Sequence, residues 1–181
     1  MDRIFGKPII DQEEMHKRIR DLGKQIASDY EGRKLLLVGV LKGAYAFYAD
    51  LARAIRLPLR VDFLVVTRSQ GTGKESEKVK VVSDLTEDIE GQDVLLVEDI
   101  VDSGLTVSYL KKILLAKRPQ SLKVCTLLDK PTRRKVKVAV DYIGFSIPDK
   151  YVVGYGLDYQ NKYRNLPYIA VLDVSEEQDK G

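Results

Sequence analysis

Cysteine and histidine are almost absent from this 181-residue chain, which has one of each, Cys125 and His16. A single cysteine forms no internal disulfide, and Cys125 lies in the apolar run Leu122 to Leu128, where a buried strand residue is expected rather than a reactive thiol. One histidine leaves no zinc cluster of the Cys/His type. His16 also falls off the apolar stripe of its own helix, so it reads as a solvated side chain and not as a catalytic base. No apolar run approaches the ~20 residues of a membrane helix, and the first residues carry no secretory pattern. A cytoplasmic location is the expectation. Neither sign of charge is in excess: Lys plus Arg number 30 against 27 for Asp plus Glu, a net +3. That is too mild for a nucleic-acid-binding surface, while small anionic substrates remain compatible. There is no internal repeat and no low-complexity tract. The composition, 44% apolar and 31% charged, is that of one globular domain.

The hydrophobic pattern alternates between two periods. Asp11 with Glu14 reads as a capping-box variant before Met15, Ile19, Leu22 and Ile26 on one helical face, which predicts a first helix running to about Asp29. Strand-like runs follow at Leu35 to Leu41, Val61 to Val66, Val79 to Val82, Val94 to Val97, Leu122 to Leu128 and Val138 to Phe145. Several are continuously apolar, as strands buried on both faces are. Between them Ala44, Phe47, Leu51, Ala54 and Ile55 mark one helix and Val107, Leu110 and Leu114 another. Strands alternating with helices predict an α/β domain with a mostly parallel sheet, whose ligands bind outside the carboxyl ends of the strands.

The polar residues that carry chemistry sit at those ends. The stretch Val94 to Val107 joins a buried strand to two adjacent acids, Glu98 and Asp99, and then to Asp102-Ser103-Gly104-Leu105-Thr106. Consecutive residues of a regular strand face opposite ways, so both acids reach one ligand only where the strand frays. The loop after them offers backbone amides, two hydroxyls and a glycine just before a helix N-terminus, the means of holding a phosphate. The plainer reading, that Asp102 or Ser103 only caps the helix, yields to the acid pair in front of it. Acids for sugar hydroxyls followed by amides for a phosphate describe a ribose phosphate site.

Other loops are weaker alone. Lys42 and Gly43 follow a strand, where a lysine is usually just solvated. Gly71-Thr72-Gly73-Lys74 lacks P-loop spacing; the polar, glycine-containing segment Arg68 to Lys80 suits a mobile lid or an ordinary hairpin. The basic run Lys130 to Lys137, with Arg133, Arg134 and Lys135, reads as a solvated loop. Tyr151 alone would be a core aromatic and Asp158 a turn residue.

The segment Glu98 to Thr106 closely resembles the phosphoribosyl-pyrophosphate signature of the type I phosphoribosyltransferases. With Lys42-Gly43, with Leu127-Leu128-Asp129-Lys130-Pro131, and with Ile147-Pro148-Asp149-Lys150-Tyr151-Val152-Val153-Gly154-Tyr155-Gly156-Leu157-Asp158-Tyr159, nearly the whole chain resembles the hypoxanthine-guanine phosphoribosyltransferases. The resemblance implies a type I phosphoribosyltransferase-like α/β core, a mostly parallel twisted sheet flanked by helices, with a small hood formed largely by the C-terminal segment. As one domain over 1–181, the core would span roughly 30–145, the hood roughly 1–10 and 146–181, and the lid 68–80.

It further implies purine salvage: transfer of a phosphoribosyl group from phosphoribosyl pyrophosphate to hypoxanthine or guanine, giving IMP or GMP and pyrophosphate, with Mg2+ as cofactor. By that likeness Glu98 and Asp99 bind the ribose hydroxyls and Asp102 is the general base. Ser103, Gly104, Leu105 and Thr106 hold the 5′-phosphate, while Lys42, Gly43 and Arg164 meet pyrophosphate. Lys130, Tyr151, Val152 and Asp158 bind the purine, and Glu98, Asp99 and Asp158 face the metal. The family usually carries Ser-Tyr in the lid, whereas this chain has Ser69-Gln70. A homodimer or homotetramer is implied, with no nucleic-acid or membrane partner. A xanthine- or pyrimidine-preferring transferase, and a phosphoribosyl-pyrophosphate-sensing nucleic-acid-binding regulator, stand as alternatives.

Overall fold

The computed structural model describes residues 8–69 and 78–172. In chain order these form β1 (Pro8–Ile10), α1 (Gln12–Asp29), β2 (Leu35–Leu41), α2 (Tyr45–Ala54), β3 (Leu59–Ser69), β4 (Lys78–Ser83), β5 (Asp93–Val101), α3 (Leu105–Ala116), β6 (Ser121–Asp129), one 3-10 turn (Pro131–Arg133), β7 (Tyr142–Ser146), β8 (Val152–Val153) and β9 (Ile169–Val171).

Helix α1 starts where the sequence predicts. The Asp11 side chain accepts from the Glu14 amide at 2.8 Å, satisfying one of the four amide groups a helix start leaves without partners. Its stripe of Met15, Ile19, Leu22 and Ile26 is buried, each such side chain contributing roughly 1.5–3 kcal/mol by leaving water. His16 lies outside that stripe, 3.7 Å from Asp50.

Six strands form the main sheet in the order β4-β3-β2-β5-β6-β7. The pairs from β3 through β7 are parallel, and β4 alone is antiparallel, at an edge. The strand β2 shows why both faces must be covered: Leu35 and Leu37 pack with α1 and α2 residues such as Met15, Leu22 and Phe47. Leu36, Val38 and Val40 pack on the other face with Val107, Leu110 and Leu114 of α3. Two faces with opposite partners are what a continuously apolar strand encodes. Cys125 is fully buried in the first of these clusters, and burial pushes its thiol far above the ordinary range, so it is a packing residue.

The chain leaves β2 towards β3 on one side, while β5 occupies its other side. Such a reversal of winding opens a crevice at the carboxyl ends of the two strands. A second, three-stranded sheet, β1-β9-β8, is antiparallel and joins the start of the described chain to its end, with Pro8 opposite Ala170.

Two expectations need correction. The run Val138 to Phe145 is a strand only from Tyr142, because Val138 and Val140 pack sideways against the α3 cluster instead of joining a ladder. The strand carrying Glu98 and Asp99 frays on one side only: its pairing to β2 ends at Val97, while it stays paired to β6 through Val101. The strands β1, β8 and β9 carry too few residues for a periodicity to register. Most of the expected lid, including Gln70, lies outside the described residues, while the backbone of Arg68 and Ser69 continues β3 and that of Lys78 to Lys80 begins β4.

Candidate active site

The acid segment reaches the crevice by two different routes. Within β5, Glu98 pairs in register with Thr126 and is 2% exposed. Asp99 turns to the opening, where its Oδ1 accepts from the Ile100 amide at 2.9 Å. Both still line one cleft of about 920 Å³, so alternation separates the acids by depth without removing either from the ligand space. Asp102 follows at the rim of the same cleft.

The turn into α3 favours an anion over a side-chain cap. Gly104 occupies the cap position with φ +81°, and no side chain caps the helix. A Cβ there would meet Val138 Cγ1 at 2.9 Å and the Val136 carbonyl at 3.0 Å, besides the strain of a left-handed conformation. The Ser103 hydroxyl is 3.4 Å from the Leu105 amide. Its carbonyl accepts from the amides of Lys135 at 2.9 Å and Val136 at 3.3 Å. The cradle is thus strapped from outside, and the amides at the start of α3 carry the partial positive charge that suits a phosphate.

Across the cleft from β2 come Lys42, at its mouth, and Gly43; the Leu41–Lys42 peptide is cis. A Cβ on Gly43 would overlap the Asp99 carboxylate. Only a residue without one lets this loop close on the acids.

The far wall is built after β6. Lys130 is 6% exposed, and its Nζ donates to the Lys150 carbonyl at 2.7 Å. That bond ties the end of β6 to the segment carrying Tyr151, Val152, Leu157 and Asp158, all of which line the cleft. Tyr151 is 49% exposed, its ring 5.6 Å from Tyr159 in an edge-on arrangement, and its hydroxyl donates to the Asp158 carbonyl at 3.3 Å. Burial, then the Asp158 charge, raise the pKa of that hydroxyl and keep it protonated. The Asp158 carboxylate is held by Arg164 Nη2 at 2.6 Å and by the Asn161 amide at 2.8 Å. Arg164 also donates to the Gly156 carbonyl at 2.6 Å.

The cleft therefore gathers Lys42, Gly43, Glu98, Asp99, Asp102, Lys130, Tyr151, Val152, Asp158 and Arg164 from separate loops. Among the described residues no group of three or more His, Cys, Asp or Glu is placed to hold a metal ion. Glu98, Asp99 and Asp158 thus form no cage by themselves, and the Asp158 carboxylate is paired with Arg164. Sequence reasoning missed Thr67, Arg133, Asp149 and Asn161, which also line the cleft. For Arg133 a signal existed in the basic run, but nothing local says that Arg133 turns inward onto Asp102 and Asp149. Arg134, in the same run, pairs with Asp129 and donates to the carbonyls of Val101 and Asp102.

Comparison with known proteins agrees with this arrangement. The phosphoribosyl transferase domain family matches residues 7–160. The hypoxanthine phosphoribosyltransferase of Salmonella typhimurium is 48% identical over 172 residues, covering 93% of this chain and 96% of that protein. The hypoxanthine-guanine phosphoribosyltransferase of Bacillus subtilis is 46% identical over 95% of this chain and 96% of its own. Among solved structures, a hypoxanthine phosphoribosyltransferase from Staphylococcus aureus superimposes with a TM-score of 0.90 at 40% identity, covering 95% of this chain and 94% of that one. Glu98, Asp99, Asp102 and the buried lysine meet in one crevice, while Ser103 to Thr106 follow outside its lining; the chain belongs to the phosphoribosyltransferase family, in its hypoxanthine phosphoribosyltransferase branch.

Proposed function

We propose that this chain is a purine salvage enzyme that transfers the phosphoribosyl group of phosphoribosyl pyrophosphate to hypoxanthine or guanine, giving IMP or GMP and pyrophosphate. The observation that carries the reading is the meeting of Glu98, Asp99 and Asp102, which lead into the turn at the start of α3, with buried Lys130 and exposed Tyr151 across one cleft. Acids and amides suit a ribose 5-phosphate on one wall; an ammonium beside an aromatic face suits a planar base with a carbonyl on the other.

In this reading Glu98 and Asp99 accept from the ribose hydroxyls, and the amides and hydroxyls of Ser103 to Thr106 hold the 5′-phosphate. As the bond from the anomeric carbon to pyrophosphate breaks, positive charge grows on the sugar, and the acid wall favours it. Lys42, the Gly43 amide and Arg164 hold the departing pyrophosphate. Asp102 accepts the proton from the imidazole nitrogen of the purine as that nitrogen bonds to the anomeric carbon. Lys130 donates to the 6-oxygen, Tyr151 stacks on the base, and the main chain at Val152 and Asp158 reads its edge.

Magnesium fits the donors at hand: it is commonly bound by one or two carboxylates with the rest of its shell from phosphate oxygens and water, so the lack of a protein-only cage suits it. Asp158, Glu98 and Asp99 would hold it, and when bound it neutralises charge on the pyrophosphate. The boundaries belong to the same proposal: one domain over 1–181, a core at roughly 30–145, a hood from roughly 1–10 and 146–181 in which β1, β8 and β9 pair, and a lid at 68–80 with Ser69 and Gln70. So do assembly as a homodimer or homotetramer without nucleic-acid or membrane partners, and a cytoplasmic location. No helix among the described residues is long and apolar enough to cross a membrane. The relatives favour neither the xanthine- or pyrimidine-preferring alternatives nor a regulator.

The test is a steady-state assay with magnesium, phosphoribosyl pyrophosphate and each base. Turnover of hypoxanthine and guanine is expected; turnover confined to xanthine or to a pyrimidine would reassign the base, and none with any base would remove the activity. A second expectation concerns Gly43→Ala. Its methyl group displaces either the Asp99 carboxylate or the loop, a strain of about 1–3 kcal/mol, so pyrophosphate affinity should fall roughly 5- to 150-fold. Isothermal titration with pyrophosphate and magnesium checks it, and unchanged affinity would mean the loop has slack there.

A further inference from the structure

Beyond Lys130, the basic run after β6 has no part in the activity just proposed, yet its first arginine, Arg133, lines the cleft. Arg133 ends the 3-10 turn, and its Nε lies 3.3 Å from Asp102 Oδ1 while its Nη1 lies 3.3 Å from Asp149 Oδ2. The two acids belong to different walls. Asp102 follows β5 in the phosphate loop, and Asp149 stands two residues before Tyr151 in the segment facing the base. A guanidinium presents separate N–H groups in a fixed fork, which lets one side chain hold two carboxylates at a set spacing; an ammonium is a single point charge.

Stability does not account for this bridge. The Arg133 side chain is 51% exposed and Asp149 52%, and ion pairs so exposed contribute little to folding. The fold already has its own fastenings here, from Lys130 Nζ to the Lys150 carbonyl and from Arg134 to Asp129, Val101 and Asp102. What Arg133 adds is a link between the carboxylate at the phosphate loop and the loop that carries Tyr151.

We propose that Arg133 is a positioning residue for the purine: bridging Asp102 and Asp149, it fixes the Asp102 carboxylate and the Tyr151 segment relative to one another, so that a base finds its proton acceptor and its stacking face already in register. A carboxylate has two oxygens. Arg133 occupies Oδ1 of Asp102, and the other can serve the imidazole N–H. The inference rests on the purine-transfer reading above and adds a residue to it. Phosphoribosyl pyrophosphate, held by the cradle and by Lys42, needs no such bridge.

The experiment measures kcat and KM for hypoxanthine and for phosphoribosyl pyrophosphate in the wild-type enzyme, Arg133→Ala, Arg133→Lys, Asp149→Asn and the double variant Arg133→Ala with Asp149→Asn. Wild-type turnover of hypoxanthine tests the underlying activity, and ratios of variant to wild type test the bridge, so the two fail separately. Arg133→Ala is expected to raise the KM for hypoxanthine about three- to tenfold while leaving that for phosphoribosyl pyrophosphate within about twofold. Arg133→Lys should not restore it, since charge without the fork spans only one acid. Asp149→Asn should raise the same KM, and the double variant should add less than the product of the two single effects. Equal rises in both KM values, full rescue by lysine, or single effects that multiply would each overturn the bridge. Should Arg133→Ala not fold, Arg133→Lys and Asp149→Asn still decide it through the same split of KM values.

Discussion

Asp102→Asn is expected to lower kcat for hypoxanthine by about 10²–10⁴-fold, the usual worth of a positioned proton acceptor. The change is nearly isosteric and leaves an amide oxygen to accept from Arg133, which stands 3.3 Å from the wild-type carboxylate. Capping is not at stake either, because Gly104 occupies the cap of α3 and no side chain caps it. Affinity for phosphoribosyl pyrophosphate should therefore change little. Single-turnover kinetics with saturating purine, beside an equilibrium titration with phosphoribosyl pyrophosphate and magnesium, separates the two quantities. A variant with an unchanged rate at saturating substrates but weakened affinity for phosphoribosyl pyrophosphate would make Asp102 a structural residue of the loop.

Adenine is expected to be a poorer substrate than hypoxanthine by about 10⁴-fold in kcat/KM, the scale on which a site built for one hydrogen-bonding pattern rejects its mismatch. On the proposed assignment the residue responsible is Lys130, 6% exposed just after β6 with its Nζ on the Lys150 carbonyl. An ammonium so placed donates to a 6-oxo group; facing a 6-amino group, it leaves donor against donor in a space with little water to compensate. Lys130→Gln, whose amide both donates and accepts, should lower hypoxanthine turnover and narrow the gap to adenine by about 10²-fold or more. Comparing kcat/KM for the two bases in both enzymes reads this directly. An unchanged ratio would move discrimination to other groups, such as the main chain at Val152 and Asp158.

Legibility in the sequence followed the size of the repeating signal. The strand β2 is apolar on both faces along its whole length, β5 carries the run Val94 to Val97 and β6 the run Leu122 to Leu128, and α1 repeats its stripe from Met15 to Ile26, so each stands out from its neighbours without tertiary information. Strands of two or three residues, such as β8 and β1, carry no period and exist because partners distant in sequence hydrogen-bond to them. The site divides in the same way. Glu98 to Thr106 is legible because acids, glycine and hydroxyls are contiguous there. Arg133 and Asp149 are 16 positions apart, and only the return of the chain from β7 brings them together. Val138 and Val140 looked like strand residues for a related reason: alternation says which side chains are buried and leaves open whether the burial is by a sheet or by the side of a helix.

The pairing of Pro8 with Ala170 has a consequence for the order in which the molecule assembles during its own synthesis. The strands that shape the phosphate side of the cleft, β2 through β5, find their ladder partners no later in sequence than β7, so the main sheet can pair while the remainder is still being made. The side facing the base cannot. Val152 and Val153 pair only with Val171 and Ala170, and β9 in turn supplies the partner that Pro8–Ile10 has awaited since the start. Closing a loop of that length is slow relative to local contacts. A nascent chain thus passes through a stage in which the main sheet is paired and the small sheet beside the cleft is not.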